Sequence, residues 1–211
     1  MAVSPPLTMG AMAPLVLASA SPRRLALLRQ VAIEPARVVP AEIDETARPR
    51  EVPAAYARRV ARAKAAAVAP GHPAAFVLAA DTVVALGRRI LPKAEDEAAA
   101  RRCLRLLSGR RHRVLGAIVV CAPDGRRAER LVTTMVAFKR LHHDEIEAYL
   151  AAGEWRGKAG GYAIQGRAAA LIPWINGSYS NVVGLPLAET VAMLGGLGYR
   201  APGAAGCPAD S

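Results

Sequence analysis

Residues 15–31, LVLASASPRRLALLRQV, constrain the fold more than any other stretch of this sequence. Their first four residues form a short apolar run of strand length. Ser21 then suits a helix N-cap and Pro22 the first helical position, and Leu25 and Leu28 follow at helical spacing. The pattern predicts a strand, a tight turn and a helix.

Two arginines at the start of this helix oppose the helix dipole. The first turn already carries about half a positive charge, so Arg23 and Arg24 cost roughly 0.3 to 1 kcal/mol each unless an anion binds there. Unpaired N–H groups and two guanidinium groups together favour a phosphate site. Solvated surface arginines are the alternative. A second predicted helix, 95–107, has three acidic residues in its first turn and obeys the dipole rule, which favours the phosphate site.

Length and composition predict one domain, which could have two lobes. The chain has 211 residues, of which 53% are hydrophobic and only 4% aromatic, which is enough for a core of Ala, Val and Leu. We expect a single domain over residues 14–200, a flexible leader over 1–13 and a flexible tail over 201–211. The leader lacks the basic start of a signal peptide. No apolar region is free of proline and charge over a membrane-spanning length, so a cytoplasmic protein is expected.

The charge pattern indicates an anionic ligand but weighs against nucleic acid. The net charge is +11, yet the basic residues are scattered from Arg23 to Arg200, and few aromatic residues are available to stack on bases. The three cysteines are far apart and have no metal-ligand spacing. A reducing compartment and no zinc site are therefore expected.

An acidic loop and a lysine helix follow the first helix. Glu42, Asp44 and Glu45 lie close together, where they could solvate a turn or hold a divalent cation through oxygen ligands. An Ala-rich helix is predicted over 53–69, and Lys64 lies on or beside its apolar stripe. Lys64 could extend along the surface to solvent or project into a cleft.

Asp81 is the outstanding acid of the sequence. It follows an apolar strand predicted over 74–80, before a second apolar run over 83–86. A carboxylate there is costly unless it is paired or lies at a cleft, and sites in α/β folds lie at the carboxyl ends of strands. Asp81 is therefore a candidate general base or metal ligand, with a turn or capping role as the alternative.

The second half predicts a hairpin and a pocket wall. Strands over 114–122 and 128–138 flank a turn at Asp124, and a short helix with its N-cap at Asp144 follows. Glycines break residues 158–187 into close-approach turns that suit a pocket wall. Gln165 could read a nucleobase edge there or be an ordinary surface glutamine. A last helix is predicted over 187–194.

These motifs together resemble the Maf family of nucleoside triphosphate pyrophosphatases. They are LASASPRRLALL, the Glu-Ile-Asp-Glu loop, the lysine helix, AADTVV, Lys93, KAGGYAIQG and INGSYSNVVGLPL, in that order over residues 15–194. The resemblance implies an α/β fold, similar to inosine triphosphatase, with an elongated mixed β-sheet, flanking helices and two lobes around a nucleotide-binding cleft. It also implies hydrolysis of nucleoside triphosphates to monophosphate and pyrophosphate, often by a homodimer, with a divalent cation such as Mg²⁺ or Mn²⁺.

The resemblance also implies residue roles. Asp81 is the catalytic base. Phosphate is bound by Ser21, Arg23, Arg24, Lys64 and Lys93, metal by Glu45 with Asp44, and the base is selected by Arg23, Thr82 and Gln165. The AGGYAIQG form is similar to the branch that prefers dTTP, UTP and modified pyrimidine nucleotides over the branch that acts on 7-methyl-GTP. Lys93 follows a proline here, whereas family members more often have proline after the lysine.

Other functions remain open from the sequence. A basic nucleic-acid or septum-associated interaction protein could use the +11 surface. An enzyme of the same class could instead release orthophosphate from the γ position. A pyrophosphatase of the same family could also act on a broader range of triphosphates or on 7-methyl-GTP.

Overall fold

The computed structural model of the chain describes residues 13–201, which contain seven strands and six α-helices. The strands are β1 (Leu15–Ala18), β2 (Arg37–Val38), β3 (Phe76–Leu86), β4 (Arg89–Leu91), β5 (Arg111–Cys121), β6 (Arg127–Ala137) and β7 (Trp174–Asn176). The helices are α1 (Pro22–Gln30), α2 (Pro53–Val68), α3 (Glu97–Leu107), α4 (His143–Ala151), α5 (Tyr179–Val183) and α6 (Leu187–Gly196). Short 3₁₀ turns occupy Ala69–Gly71 and Arg167–Leu171. The predicted leader and tail lie, except for their innermost residues, outside the described range.

All seven strands form one mixed sheet in the order β2-β1-β3-β5-β6-β7, with β4 also paired to β3. The first three strands of this order are parallel, and the other pairs are antiparallel. Along one edge of β3, β1 pairs with residues 76–79 and β4 with residues 84–86. Residues 80–83 therefore have no strand beside them on that edge. This gap lies at the carboxyl end of β1.

The core is divided among three clusters around the sheet. The small residues Ala57, Ala61 and Ala65 of α2 pack on one face of the β1–β3–β5 half, while α1 and α6 cover the opposite face. A third cluster joins α3 and α4 to the other ends of β3, β5 and β6. The predicted mixed α/β sheet with two lobes is confirmed, and the gap beside residues 80–83 of β3 lies between the lobes.

Most predicted elements are present, with some differences. The hairpin is confirmed as β5 and β6, and α3 begins at Glu97 with Asp96 as its N-cap, whose Oδ1 accepts from Ala99 N at 2.6 Å. Helix α4 begins at His143, so the prediction of an N-cap at Asp144 was wrong. Strands β4 and β7 and helix α5 were not predicted, because each is only three to five residues long.

The prediction that a strand ends at Asp81 was wrong. β3 runs unbroken from Phe76 to Leu86, and Asp81 pairs with Ala117 of β5 in its middle. Asp81 does not interrupt the strand, because its backbone stays paired with β5 and its carboxylate is neutralised by Lys64. The expectation that a site lies at the carboxyl end of a strand therefore holds for β1, whose end borders the gap, and not for β3.

Candidate active site

The gap in the sheet is the floor of a cleft of about 410 Å³. Its walls come from the end of β1, the start of α1, the acidic loop, the glycine-rich segment and the turn between α5 and α6. The polar and charged residues that line it are Ser19, Ser21, Arg23, Arg24, Glu45, Lys64, Asp81, Thr82, Lys93, Arg156, Lys158, Tyr162 and Gln165. Every predicted site residue except Asp44 is therefore brought to one cleft.

Asp81 and Lys64 form a buried ion pair at the floor. Lys64 Nζ lies 2.9 Å from Asp81 Oδ1, and the two residues are 6% and 3% exposed. Asp81 points to the face covered by α2, where the alanine stripe lets the helix approach the sheet closely. Burial without a partner would be costly for either charge, and the pair removes that cost. Of the two alternatives for Lys64, the structure selects projection into a cleft.

Glu45 connects two lysines from different parts of the fold. Its Oε1 is 2.8 Å from Lys64 Nζ, and its Oε2 is 2.8 Å from Lys93 Nζ. Burial acts to raise the pKa of Glu45, but the hydrogen bonds from both lysines outweigh it and lower the pKa to about 2. Glu45 is thus an ionised carboxylate that shares Lys64 with Asp81.

Asp44 lies outside the cleft. It is exposed, and its Oδ1 accepts a hydrogen bond from Thr46 N at 2.8 Å, as in an Asx turn. The carboxylate that lies beside Glu45 is that of Asp81, through their shared contact with Lys64. Among residues 13–201, no cluster of three or more histidine, cysteine or acidic side chains could hold a metal ion. Metal binding by Asp44 stays a prediction that the geometry does not support.

Arg24 is buried, so the alternative of two solvated surface arginines was wrong. Its Nε donates to Gly184 O at 2.9 Å, its Nη1 to Ser19 Oγ at 2.9 Å and its Nη2 to Thr82 Oγ1 at 3.2 Å. Burial lowers the pKa of Arg24 most, and the charge of Asp81 acts in the opposite direction. Arg24 therefore connects α1 to β3 and to the residue that follows α5.

Arg23 and Ser21 lie at the N-terminus of the same helix, α1. Arg23 is half-buried, its Nε donates to Val183 O at 3.2 Å, and burial lowers its pKa. Ser21 occupies the predicted N-cap position, but its hydroxyl makes no capping hydrogen bond. The Ser21 hydroxyl is thus not used to cap the helix.

Of the three residues expected to select the base, Thr82 and Gln165 lie on separate walls of the cleft. Thr82 Oγ1 donates to Gly184 O at 3.2 Å and accepts from Arg24, whereas Gln165 is exposed at the cleft. Glu154 supports the turn that follows Gln165, because its Oε2 accepts from Arg167 N at 2.7 Å and a side chain at Gly166 would overlap it. Gln165 therefore projects from a fixed turn.

Several residues that line the cleft had no role predicted from the sequence. Ser19 is a hydrogen-bond partner of Arg24, and Tyr162 bonds to the buried His112 at 2.8 Å. Arg156 and Lys158 line the wall of the glycine-rich segment. Their basic side chains beside Gly157 are visible in the sequence, but their nearness to α1 depends on the tertiary fold.

The sheet is mixed, and a buried ion pair lies in its gap with cationic side chains around it. The chain is therefore an α/β protein with a cleft suited to an anionic ligand. The family model described as Maf-like protein matches residues 14–197, and the chain belongs to this family. The resemblance seen in the sequence is confirmed.

Curated relatives cover most of this chain, and several bear the name dTTP/UTP pyrophosphatase. The protein of Paramagnetospirillum magneticum is 68% identical over 188 residues, covering 89% of this chain and 99% of that protein. The protein of Rhodospirillum rubrum is 65% identical, covering 89% of each. The protein of Caulobacter vibrioides is 61% identical, covering 88% of this chain and 96% of its own.

Solved structures also match, and among them is the nucleoside-triphosphatase / dITP/XTP pyrophosphatase of Mycobacterium abscessus. It is 17% identical, covers 60% of this chain and 73% of its own, and has a TM-score of 0.38. Separately, none of the helices between residues 13 and 201 combines the length and the apolar content needed to cross a bilayer.

Proposed function

We propose that this protein hydrolyses nucleoside triphosphates, with dTTP and UTP preferred, to the nucleoside monophosphate and pyrophosphate. The observation that carries the proposal is the Asp81–Lys64–Glu45 arrangement on the floor of a cleft with cationic walls. The names of the relatives in three bacteria support the choice of pyrimidine nucleotides. Such an enzyme would remove unwanted nucleotides, including modified pyrimidine triphosphates, from the cellular pool.

Asp81 is the base in this proposal. The contact with Lys64 uses Oδ1, which leaves Oδ2 to take a proton from a water molecule that attacks the α-phosphorus. Lys64 positions the carboxylate, and its charge also stabilises the developing negative charge on phosphoryl oxygens. Displacement at phosphorus needs a positioned water and charge neutralisation, and the cleft supplies both kinds of group.

Glu45 and Asp81 are the residues that would hold a divalent cation. Their carboxylates both contact the Lys64 ammonium group, at 2.8 and 2.9 Å, so two acidic side chains lie close together on the floor of the cleft. Mg²⁺ is often held by one or two carboxylates together with substrate phosphates, so the donor set fits. When bound, Mg²⁺ or Mn²⁺ would neutralise phosphoryl oxygens and orient the leaving group. A chelator is expected to stop hydrolysis, and added Mg²⁺ or Mn²⁺ to restore it.

The remaining cleft residues divide between the phosphates and the base. Arg23, Lys93 and the Ser21 hydroxyl line the cleft with polar groups that phosphate oxygens can accept from. Arg24 acts mainly by holding Thr82 and Gly184 in place. Thr82 and Gln165 supply hydrogen-bonding groups for the nucleobase, and Arg23 contributes to the same selection.

Identification of the products tests this function. The purified protein is incubated with Mg²⁺ and each triphosphate, and pyrophosphate and monophosphate are measured. We expect both products, fastest from dTTP and UTP. Orthophosphate with a nucleoside diphosphate would instead indicate γ-phosphate release. Turnover of no triphosphate, with tight and salt-sensitive DNA binding, would indicate the interaction protein.

We also propose that the enzyme acts in the cytoplasm as a homodimer and binds neither nucleic acid nor membranes. The proposal follows from the resemblance to the family and from the scattered basic residues. Light scattering of the purified chain measures the oligomeric state. A monomer at working concentration would contradict the dimer.

A further inference from the structure

The charges that line the cleft are not evenly balanced. Six cationic side chains face two carboxylates, those of Glu45 and Asp81. Both carboxylates are engaged by Lys64 and Lys93. Among residues 13–201, no carboxylate forms an ion pair with Arg23, Arg24, Arg156 or Lys158. The excess positive charge therefore lies on the walls and not on the floor.

Lys158 is held in its wall by backbone hydrogen bonds. Ala94 N donates to Lys158 O at 3.0 Å, and Gly157 N donates to Ala94 O at 2.9 Å. Lys93 and Ala159 form an isolated antiparallel bridge in the same short ladder. The segment that carries Lys158 is thus paired with the segment that carries Lys93, and both lysines line the cleft.

The glycines after Lys158 bring this ladder against β3. Gly160 has a φ of +69°, and a side chain there would lie 2.8 Å from Val84 Cγ1. Gly161 also has a positive φ, of +71°. Only glycine fits this close approach without strain. The wall is therefore fixed to the strand that carries Asp81.

The side chain of Lys158 is only partly used by the protein itself. Its Nζ donates to Arg156 O at 2.9 Å, which leaves two N–H groups for another acceptor. Burial lowers the pKa of Lys158 most, the nearby charge of Arg23 lowers it further, and the charge of Glu154 acts in the opposite direction. Two cationic side chains that face each other across a cleft repel each other. An anion that binds between them is attracted to both, so their charges then favour binding.

We infer that Lys158 is a further substrate-binding residue, which with Arg23 holds the phosphoryl groups that leave as pyrophosphate. The inference rests on the proposed function. The α-phosphorus must lie near Asp81, where Glu45 and Asp81 already balance the lysines. The remaining phosphates add negative charge that the Arg23–Lys158 side of the cleft can balance.

Binding of inorganic pyrophosphate tests the inference without any hydrolysis. Its affinity is measured by calorimetry in Mg²⁺ for the wild type, Lys158→Gln and Lys158→Arg. Lys139→Gln is the matched control, because Lys139 is ion-paired with Glu145 and does not line the cleft. We expect Lys158→Gln to weaken pyrophosphate binding roughly ten- to hundredfold, Lys158→Arg to retain most of it, and the control to match the wild type.

The same variants are then compared in turnover of dTTP, UTP and GTP. A phosphate contact is expected to raise KM by a similar factor for all three nucleotides. Unchanged pyrophosphate affinity in Lys158→Gln would overturn the inference. This holds even if the variant loses thermal stability or changes its preference among bases. If the wild type releases no pyrophosphate from any triphosphate, the proposed function fails, whereas the pyrophosphate titration still reports on Lys158.

Discussion

Asp81 concentrates the chemistry of the cleft in one residue. Asp81→Asn keeps the size of the side chain and an oxygen that can accept from Lys64, but it removes the proton acceptor. We expect kcat for dTTP to fall by roughly 10²- to 10⁴-fold, while the fold is retained at a lower thermal unfolding temperature, because Lys64 loses the charge of Asp81 but keeps its ion pair with Glu45. Steady-state kinetics and a melting curve measure the two effects.

The control for Asp81 is Asp124→Asn. Asp124 is exposed on the turn between β5 and β6 and is paired with Arg126 at 2.7 Å, far from the lining of the cleft. Its variant is expected to turn over dTTP like the wild type. Near-normal kcat in Asp81→Asn would remove Asp81 as the base.

Gln165 is the residue whose role in base selection is simplest to test. Gln165→Ala removes the amide while Glu154 continues to hold the turn. If the amide contacts the base, the ratio of kcat/KM for UTP to that for GTP should fall by roughly tenfold. The reason is that losing a hydrogen bond to the base lowers kcat/KM only for the nucleotide that forms this bond. Kinetics with both nucleotides give the ratio. An equal loss for UTP and GTP would contradict a contact with the base.

At this scale the residue types were predictable but their partners were not. The dipole argument singled out Arg23 and Arg24 and predicted an anion. The structure adds that Arg24 donates to Gly184 O, a carbonyl 160 residues away in the chain. Neutral carbonyl and hydroxyl oxygens thus satisfy a cation for which the dipole rule alone predicts an anionic partner. No local pattern in the sequence reveals such a contact.

Among the elements, β3 determines where the cleft can form. The sequence predicted two runs separated by Asp81, because a carboxylate in an apolar strand is costly. The strand is continuous because Lys64, on a different element, neutralises the carboxylate. The break lies instead in the neighbouring strands β1 and β4, which pair with opposite ends of β3. A pattern within one strand cannot show where its neighbours stop.

Helix α5 is positioned by one asparagine that is fully buried. Asn181 Nδ2 donates to Val114 O at 3.2 Å and to Thr134 Oγ1 at 3.0 Å, and its Oδ1 lies against Gly116 of β5. The same helix ends at Val183, whose carbonyl accepts from Arg23. The position of this cleft wall therefore depends on close contact at Gly116.

Gly116→Ala tests this dependence. An added methyl group would overlap Asn181 Oδ1 and lie 3.0 Å from Asn181 Cγ, so α5 must shift or the strand must bend. We expect a loss of about 1–3 kcal/mol in the free energy of unfolding and a raised KM for dTTP. Denaturant unfolding measures the first effect and kinetics the second. Gly71→Ala is the control, because no atom lies within 4 Å of its added methyl group. A variant as stable as this control would contradict the contact.

In the whole molecule, the few aromatic residues are unevenly distributed between the two halves of the core. Several of the few aromatic residues gather in the α3–α4 half, where the rings of Phe138 and Tyr162 are 5.1 Å apart and those of His112 and Tyr162 are 5.5 Å apart. Composition predicted an aliphatic core, which describes the half that contains α1, α2 and α6 better. Tyr162 also lines the cleft, so the aromatic cluster is continuous with the site.

The buried His112 should make the stability of the whole fold depend on pH. His112 is 1% exposed, its Nε2 bonds to Tyr162 Oη at 2.8 Å, and its Nδ1 has no protein partner among the described residues. Burial lowers the pKa of His112 from 6.5 to about 4. Between these two pH values the unfolded chain binds more protons than the folded chain, so stability falls as pH falls.

A shift of this size corresponds to about 3 kcal/mol, lost progressively as pH falls from 6.5 to about 4. Denaturant unfolding across this range measures the effect. His112→Gln is expected to be less stable than the wild type at neutral pH but to lose less stability on acidification. His143→Gln, which replaces a histidine whose side chain is 72% exposed, should keep the wild-type slope. Equal slopes in His112→Gln and the wild type would show that carboxylates alone, not this histidine, govern the acid sensitivity of the fold.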